Sequence, residues 1–236
     1  MGCARSLSHV TDLLAAIDEH TGRLVSDARA CDDLSAPSLC EGWTRDHVLN
    51  HLARNAEALV RLVGAAVDGS GRTMYDSPES RDTDIDDGVG REASVVVADV
   101  EETAADLAPH LRRLTPEHRD VVLERTPGGP TFRGGMLPFM RLREVVYHHV
   151  DLDLGFGFDD LESDLQVTFL ENELKRQQGA ADAPSLRIRT DEGDEWTLGA
   201  GDTIVTGSRA GVLAWLARQD ESGVRADALP VLTKGL

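Results

Sequence analysis

The segment Arg141-Leu-Arg-Glu-Val-Val-Tyr-His-His-Val-Asp-Leu152 holds the most suggestive chemical spacing in the chain. Glu144 and His148 are four residues apart. On a helix they share one face, and their side chains can meet at one point. Asp151 follows three residues later on the same side. A metal-bound imidazole usually donates its other N–H to an oxygen, so Glu144 and His148 make a ligand pair with Asp151 as support. Taken alone, such a pair is more often an exposed helix contact worth about 0.3 kcal/mol.

His51 strengthens the metal reading. It lies in Asn50-His51-Leu52, among the apolar positions Val48, Leu52 and Leu59. A histidine beside an apolar stripe is more often a satisfied, partly buried residue. In a four-helix bundle, however, facing helices project ligands into the interior. His51, Glu144 and His148 would then form a two-His, one-carboxylate set with open positions. That set suits Zn²⁺ as a Lewis acid or thiolate activator, and equally Fe(II) or Ni(II). His47, four residues earlier, competes with His51 for the role. His149 points about 100° around the helix from His148 and should miss the site.

The cysteines add little. Cys3, Cys31 and Cys40 form no Cys-x-x-Cys pair. An odd, sparse count is not a disulfide framework, and a thiolate zinc site is not expected. Cys40 reads as a small, partly buried residue, with a reactive thiol as the alternative. Any thiol chemistry is expected to use a thiol from outside the chain.

The elements that must position these groups follow from periodicity and punctuation. A helix is predicted over Ser8 to Ala30, with Val10, Leu13, Leu14, Ile17, Leu24 and Val25 at helical spacing. Asp32 to Trp43 reads as a loop. Thr44 is placed to cap a second helix that runs to about Val67, with Asp46 favourable in its first turn. Thr73 to Gly90 reads as a polar segment, and Asp82 to Asp87 within it as a solvated loop. A third helix is expected over Arg91 to Leu114, kinked or split by Pro109. Asp120 to Arg125 and Thr131-Phe132 could flank a hairpin turn at Pro127-Gly-Gly-Pro130. Pro138 opens a helix ending near Leu152. The first part of the chain is therefore expected to be a bundle of four main helices.

After Gly155-Phe-Gly157 the pattern changes. One helix is expected over Leu161 to Gln178, then strands at Ser185 to Thr190, Glu195 to Leu198 and Asp202 to Thr206. A last helix covers Ser208 to Arg218. The fold class expected is α+β: a helical bundle over residues 1–157 and a small α+β domain over 158–236. There is no internal repeat and no low-complexity tract.

The charge balance narrows the partners. Among 236 residues, 24 Lys and Arg face 42 Asp and Glu, a formal charge of −18. So acidic a chain suits neither sequence-independent nucleic-acid binding nor an anionic membrane surface. No apolar run approaches the ~18 residues of a spanning helix. The first residues hold no apolar signal-peptide region, and a soluble, cytoplasmic protein is expected.

Several segments together resemble a known family. Leu39-Cys-Glu-Gly-Trp-Thr-Arg-Asp-His-Val-Leu-Asn-His-Leu52 is similar to the signature of the mycothiol-dependent maleylpyruvate isomerases, within the wider DinB-like metal-binding four-helix bundles. Met74-Tyr75 with Ser77-Pro-Glu-Ser-Arg81 looks like the family's loop after the second helix. Arg143-Glu-Val145 with His148 and Val150-Asp-Leu152 looks like its second motif. Asp202 to Ser208 with Trp215-Leu-Ala-Arg218 looks like its C-terminal domain. The tail keeps Leu229-Pro230 but lacks the family's terminal Trp-Leu.

The resemblance implies a DinB-like N-terminal bundle that carries zinc, or another divalent metal, on His51, Glu144 and His148. It implies mycothiol as the thiol cofactor, which the metal would deliver as thiolate. It also implies an actinobacterial source, with which the two lysines, Lys175 and Lys234, are consistent. Arg81 and Arg218 match family arginines and could hold the carboxylates of a diacid, a task suited to the planar guanidinium fork. Their other reading is surface salt bridging. Trp43 reads as a core residue. The expected reaction is reversible addition of the thiolate to maleylpyruvate, rotation about the resulting single bond, and elimination to fumarylpyruvate. The rival readings are a mycothiol S-transferase acting on an electrophilic small molecule, and a non-catalytic metal- or thiol-sensing protein.

Overall fold

The computed structural model describes residues 10–233. The chain divides into a helical unit that ends at Gly155 and a smaller unit from Phe156 onward. Cys3, His9 and the start expected for the first helix lie outside the described residues.

In the helical unit, α1 (Val10–Ala30), α2 (Arg45–Asp68), α4 (Ala93–Leu111) and α5 (Leu137–Asp151) pack pairwise around a common core. A shorter α3 (Pro78–Asp86) lies against α2. The bundle core is built on α2, where Val48, Leu49, Leu52, Ala53, Leu59 and Leu62 recur at helical spacing and are buried. Val96, Val97 and Val100 of α4 and Val145 of α5 complete one cluster with Leu24 and Val25 of α1.

Thr44 caps α2 as the sequence leads one to expect. Its hydroxyl accepts from the His47 backbone N–H, while the His47 ring accepts from the Thr44 N–H. The loop before it is tied to the end of α5. The Leu39 N–H donates to the Asp151 carbonyl at 2.8 Å. Arg45 donates to the Leu152 and Asp153 carbonyls at 2.7 and 2.9 Å. These bonds satisfy carbonyls that a helix end leaves open.

Two expectations are corrected. The polar segment after α2 is not all loop, because α3 forms within it. Ser77 and Ser80 bond each other's backbone N–H groups and Pro78 fills the first turn, so the caps nucleate a helix that buries only Ile85. Pro109 does not split α4, which runs unbroken to Leu111. It sits in the last turn, where only one backbone bond is forfeited.

The expected hairpin is present as β1 (Val122–Glu124) and β2 (Thr131–Arg133), antiparallel with Leu123 opposite Phe132. The Glu124 and Arg125 carbonyls accept from the Met74 and Tyr75 N–H groups, which fixes the approach to α3.

In the second unit, α6 (Ser163–Gln178) buries Leu165, Phe169, Leu170 and Leu174. The strands β3 (Leu186–Thr190), β4 (Glu195–Leu198), β5 (Thr203–Gly207) and β6 (Val224–Arg225) form one sheet in the order β4-β3-β5-β6. β3 and β5 run parallel, and the other pairs are antiparallel. Between β5 and β6, α7 (Arg209–Arg218) buries Val212, Leu213, Trp215 and Leu216. Gly211 must be glycine, since a Cβ there would stand 2.5 Å from the Gly223 carbonyl oxygen. Near the end of the described chain, Thr233 exchanges two bonds with the Gln177 amide on α6. The α+β class with a helical N-terminal part is therefore borne out. No helix among the described residues is long and apolar enough to cross a membrane.

Candidate functional site

Helices α2 and α5 bring three of the expected residues together. Nε2 of His51 lies 2.8 Å from Oε2 of Glu144. Nε2 of His148 lies 3.4 Å from the same oxygen. The two imidazoles meet edge to face, with ring centroids 4.7 Å apart. His51 is buried, whereas Glu144 and His148 keep some exposure, so the cluster opens on one side.

The other nitrogen of His148 is engaged. Nδ1 lies 2.8 Å from Oδ2 of Asp151, a carboxylate with no exposed surface. The Cys40 thiol donates to the same Asp151 oxygen at 3.3 Å and lies 4.0 Å from Nδ1. The loop stapled to the end of α5 carries Cys40 to this position.

Two groups of donors could hold a metal. One is His51, Glu144 and His148; the other is Cys40, His148 and Asp151. In each, the candidate donor atoms lie within 4.8 Å of one another. The first fits a divalent ion better on chemical grounds. Asp151 occupies Nδ1 of His148 and turns Nε2 toward Glu144, the usual outer support of a ligating histidine. The second group would have to break that support to use Nδ1.

The electrostatics describe a tightly coupled cluster. Burial is the largest influence on His51 and lowers its pKa to about 4, against the bond to Glu144. Burial would raise the Glu144 carboxyl, but hydrogen bonds from His148 and His51 outweigh it and hold the group well below the ordinary range. Burial would lower His148, but Asp151, Cys40 and Glu144 outweigh it and hold the ring well above the ordinary range. A divalent ion would replace the His148 proton as the cation among these carboxylates.

Arg81 joins the cluster from α3 rather than from a loop. Its Nη2 lies 3.3 Å from Nδ1 of His51, and its Nη1 donates to Asp82 at 2.7 Å. The guanidinium carbon stands 5.9 Å from the Trp43 ring centroid and 6.0 Å from that of Tyr75. Trp43 packs on the core cluster, as its core reading expects, and its ring centroid is also 5.5 Å from that of His51. Tyr75, read in the sequence only as part of the motif after the second helix and given no role there, forms an aromatic wall. Its signal was its place two residues before the Ser77 cap.

His47 and His149 are engaged in other contacts. His47 is used in the α2 cap, with its ring stacked on Trp43. His149 points to α1, where Nε2 meets Asp27 at 2.8 Å. Arg218 is the last residue of α7 in the second unit, and its Nη1 donates to the Ala217 carbonyl at 3.1 Å.

Comparison with known proteins gives a consistent result. The family model of the mycothiol maleylpyruvate isomerase N-terminal domain matches residues 14–153. That span contains His51, Arg81, Glu144 and His148. A crystal structure of the mycothiol-dependent maleylpyruvate isomerase aligns with a TM-score of 0.85 at 25% identity, over 96% of this chain and 97% of that one. A crystal structure of a histidine-to-alanine mutant of that isomerase aligns with the same TM-score and coverage at 24% identity. No curated protein sequence matches.

Proposed function

The chain belongs to the mycothiol maleylpyruvate isomerase N-terminal domain family, and on that premise we propose that it is a metal- and mycothiol-dependent isomerase that converts maleylpyruvate to fumarylpyruvate. The observation that carries the reading is the convergence of His51, Glu144 and His148 beside Arg81, inside the matched span. His51, Glu144 and His148 would hold zinc or another divalent ion. When bound, such an ion supplies Lewis-acid chemistry and lowers the pKa of a thiol.

The chain's own residues do the rest. Asp151 fixes the His148 ring so that Nε2 faces Glu144. Arg81 binds a substrate carboxylate, and the rings of Trp43 and Tyr75 flank its guanidinium and limit water around it. In a protein of charge −18, a local cation is needed to hold a dianion against the overall field. When bound, mycothiol would supply a thiolate whose reversible addition to the alkene permits rotation and is then undone, so that no thiol would be consumed. Arg81 is placed to stabilise negative charge that develops on the substrate's conjugated carbonyl.

For Arg218, support comes from the resemblance of the C-terminal segment to the family, and the kinetics of Arg218→Ala test it. A reduced small thiol as cofactor suits a cytoplasmic location, which the reading carries with it.

The test is turnover of maleylpyruvate by the purified protein with and without mycothiol, with free thiol titrated in parallel. Conversion that requires mycothiol and leaves the thiol titre unchanged is the expected result. Thiol consumed in step with product would instead assign a mycothiol S-transferase. No turnover by metal-loaded protein would overturn the isomerase reading.

A further inference from the structure

The groove between α1 and α4 contains a cavity of about 290 Å³. It exists because the facing residues are small: Gly22 on α1, and Ala104, Ala105 and Ala108 on α4. A Cβ at Gly22 would meet nothing within 4 Å. Ile17, Val25, Leu107 and Leu111 give it apolar walls. Two ion pairs tie α1 to α4 beside it, Arg29 with Glu101 and Arg112 with Asp18. Asp18 and Arg29 are eleven residues apart on α1, about 16 Å at the helical rise, so the groove between the two ties is long enough for an extended chain.

Two polar side chains lining this cavity hold buried atoms with no partner. One is the Thr21 hydroxyl. The other is Arg141, fully buried at 0% exposure. Its Nη1 donates to the Leu52 carbonyl and to Asn55 Oδ1, both at 2.9 Å and both neutral acceptors. Nε and Nη2 have no partner. Those two nitrogens form one edge of the guanidinium, the edge that a carboxylate bridges with two parallel bonds. Burial, opposed by the charges of Glu144 and Tyr75, lowers the group to about 10, which leaves it a cation at neutral pH. A buried cation whose hydrogen bonds go only to neutral acceptors, with the Glu144 charge acting on it but not bonded to it, gains from an anion at its free edge.

We propose that this cavity binds a small amphipathic monocarboxylate, with its apolar chain in the α1–α4 groove and its head group on the free edge of Arg141 and the Thr21 hydroxyl. Arg141 has no exposed surface, so the side chains over it must part to admit the head group. None of the site's residues is a proposed metal ligand, although the charge of Glu144 acts on Arg141.

Calorimetric titration with octanoate tests it, with 1-octanol as the uncharged control of equal chain length. Octanoate is expected to bind at least ten-fold more tightly than octanol. Gly22→Leu, at an exposed helical position with open space around its Cβ, should fill the groove, keep the fold and weaken octanoate at least ten-fold. Arg141→Met should abolish the preference for the acid. Where that variant fails to fold, Gly22→Leu decides. No binding of octanoate at millimolar concentration would overturn the proposal. So would equal binding of the alcohol, or octanoate binding unchanged in Gly22→Leu, which would locate the acid at Arg81 instead.

Discussion

Nη2 of Arg81 lies 3.3 Å from Nδ1 of His51, while the other nitrogen of that ring lies 2.8 Å from Glu144. The cation suited to a substrate carboxylate thus touches the imidazole suited to a metal. Arg81 is held there by α3, a helix whose start is set by the Ser77–Ser80 cap and Pro78. On the proposed function, substrate binding and activation would meet at one side chain.

Arg81→Ala should therefore separate the two roles. Metal content is expected to stay near that of the parent, because Arg81 donates no ligand atom. The kcat/KM for the dianionic substrate should fall about 30- to 1,000-fold, the effect of removing one partner of a charged hydrogen bond (about 2–4 kcal/mol). Steady-state kinetics beside elemental analysis decide. Unchanged kcat/KM would remove Arg81 from the site.

Asp151→Asn should weaken the centre without removing a ligand. The amide can still meet Nδ1 of His148, but it no longer carries the charge that supports the ring. Metal affinity is expected to drop about 10- to 100-fold, as is usual for such partners. Competition with a chromogenic chelator measures it. An unchanged dissociation constant would mean that Asp151 serves only the fold.

The α2 cap offers a stability test. Thr44→Ala removes the hydroxyl that accepts the His47 N–H. The loss should be about 1 kcal/mol, or roughly 2–4 °C in Tm for a chain of this size. Thermal melts of metal-free protein check it. A Tm within error of the parent would show that water replaces the cap.

The second unit should respond to acid through Asp194. Its carboxyl is held below the ordinary 3.8, first by the hydrogen bond from Arg209, with the Thr190 hydroxyl adding to it. Arg209 binds it with two nitrogens at 2.5 and 3.0 Å. A carboxyl depressed in the fold contributes stability above its unfolded pKa, and that contribution is lost as pH falls through the folded value. The parent should exceed Asp194→Asn by about 1–2 kcal/mol near neutrality, with the gap closing as pH falls below the ordinary carboxylate range. Urea melts followed by Trp fluorescence measure this, and a gap that does not change with pH would refute it.

The parts of the site that lie on one element were legible in the sequence. Glu144, His148 and Asp151 share a helix face through spacing alone, and Thr44 announces α2. His51 was legible only on the assumption of a bundle. Where tertiary contacts decide, the sequence was silent. Nothing local says that Leu39 docks on the end of α5 and carries Cys40 to Asp151, or that Trp43 and Tyr75 flank Arg81. The helix α3 was hidden because it has almost no apolar periodicity, with Ile85 as its one buried residue, although its Ser-Pro start was readable. The cavity behind Gly22 was equally hidden, because small residues on two distant helices make it jointly.

The most direct test of the central claim is metal content per chain, measured by elemental analysis on the parent and on His51→Ala, Glu144→Ala and His148→Ala, each shown to be folded by circular dichroism. One divalent ion per parent chain, with loss from every variant, is the predicted result. Stoichiometric metal retained by folded His51→Ala or His148→Ala would contradict the ligand set and, with it, the chemistry assigned to the site.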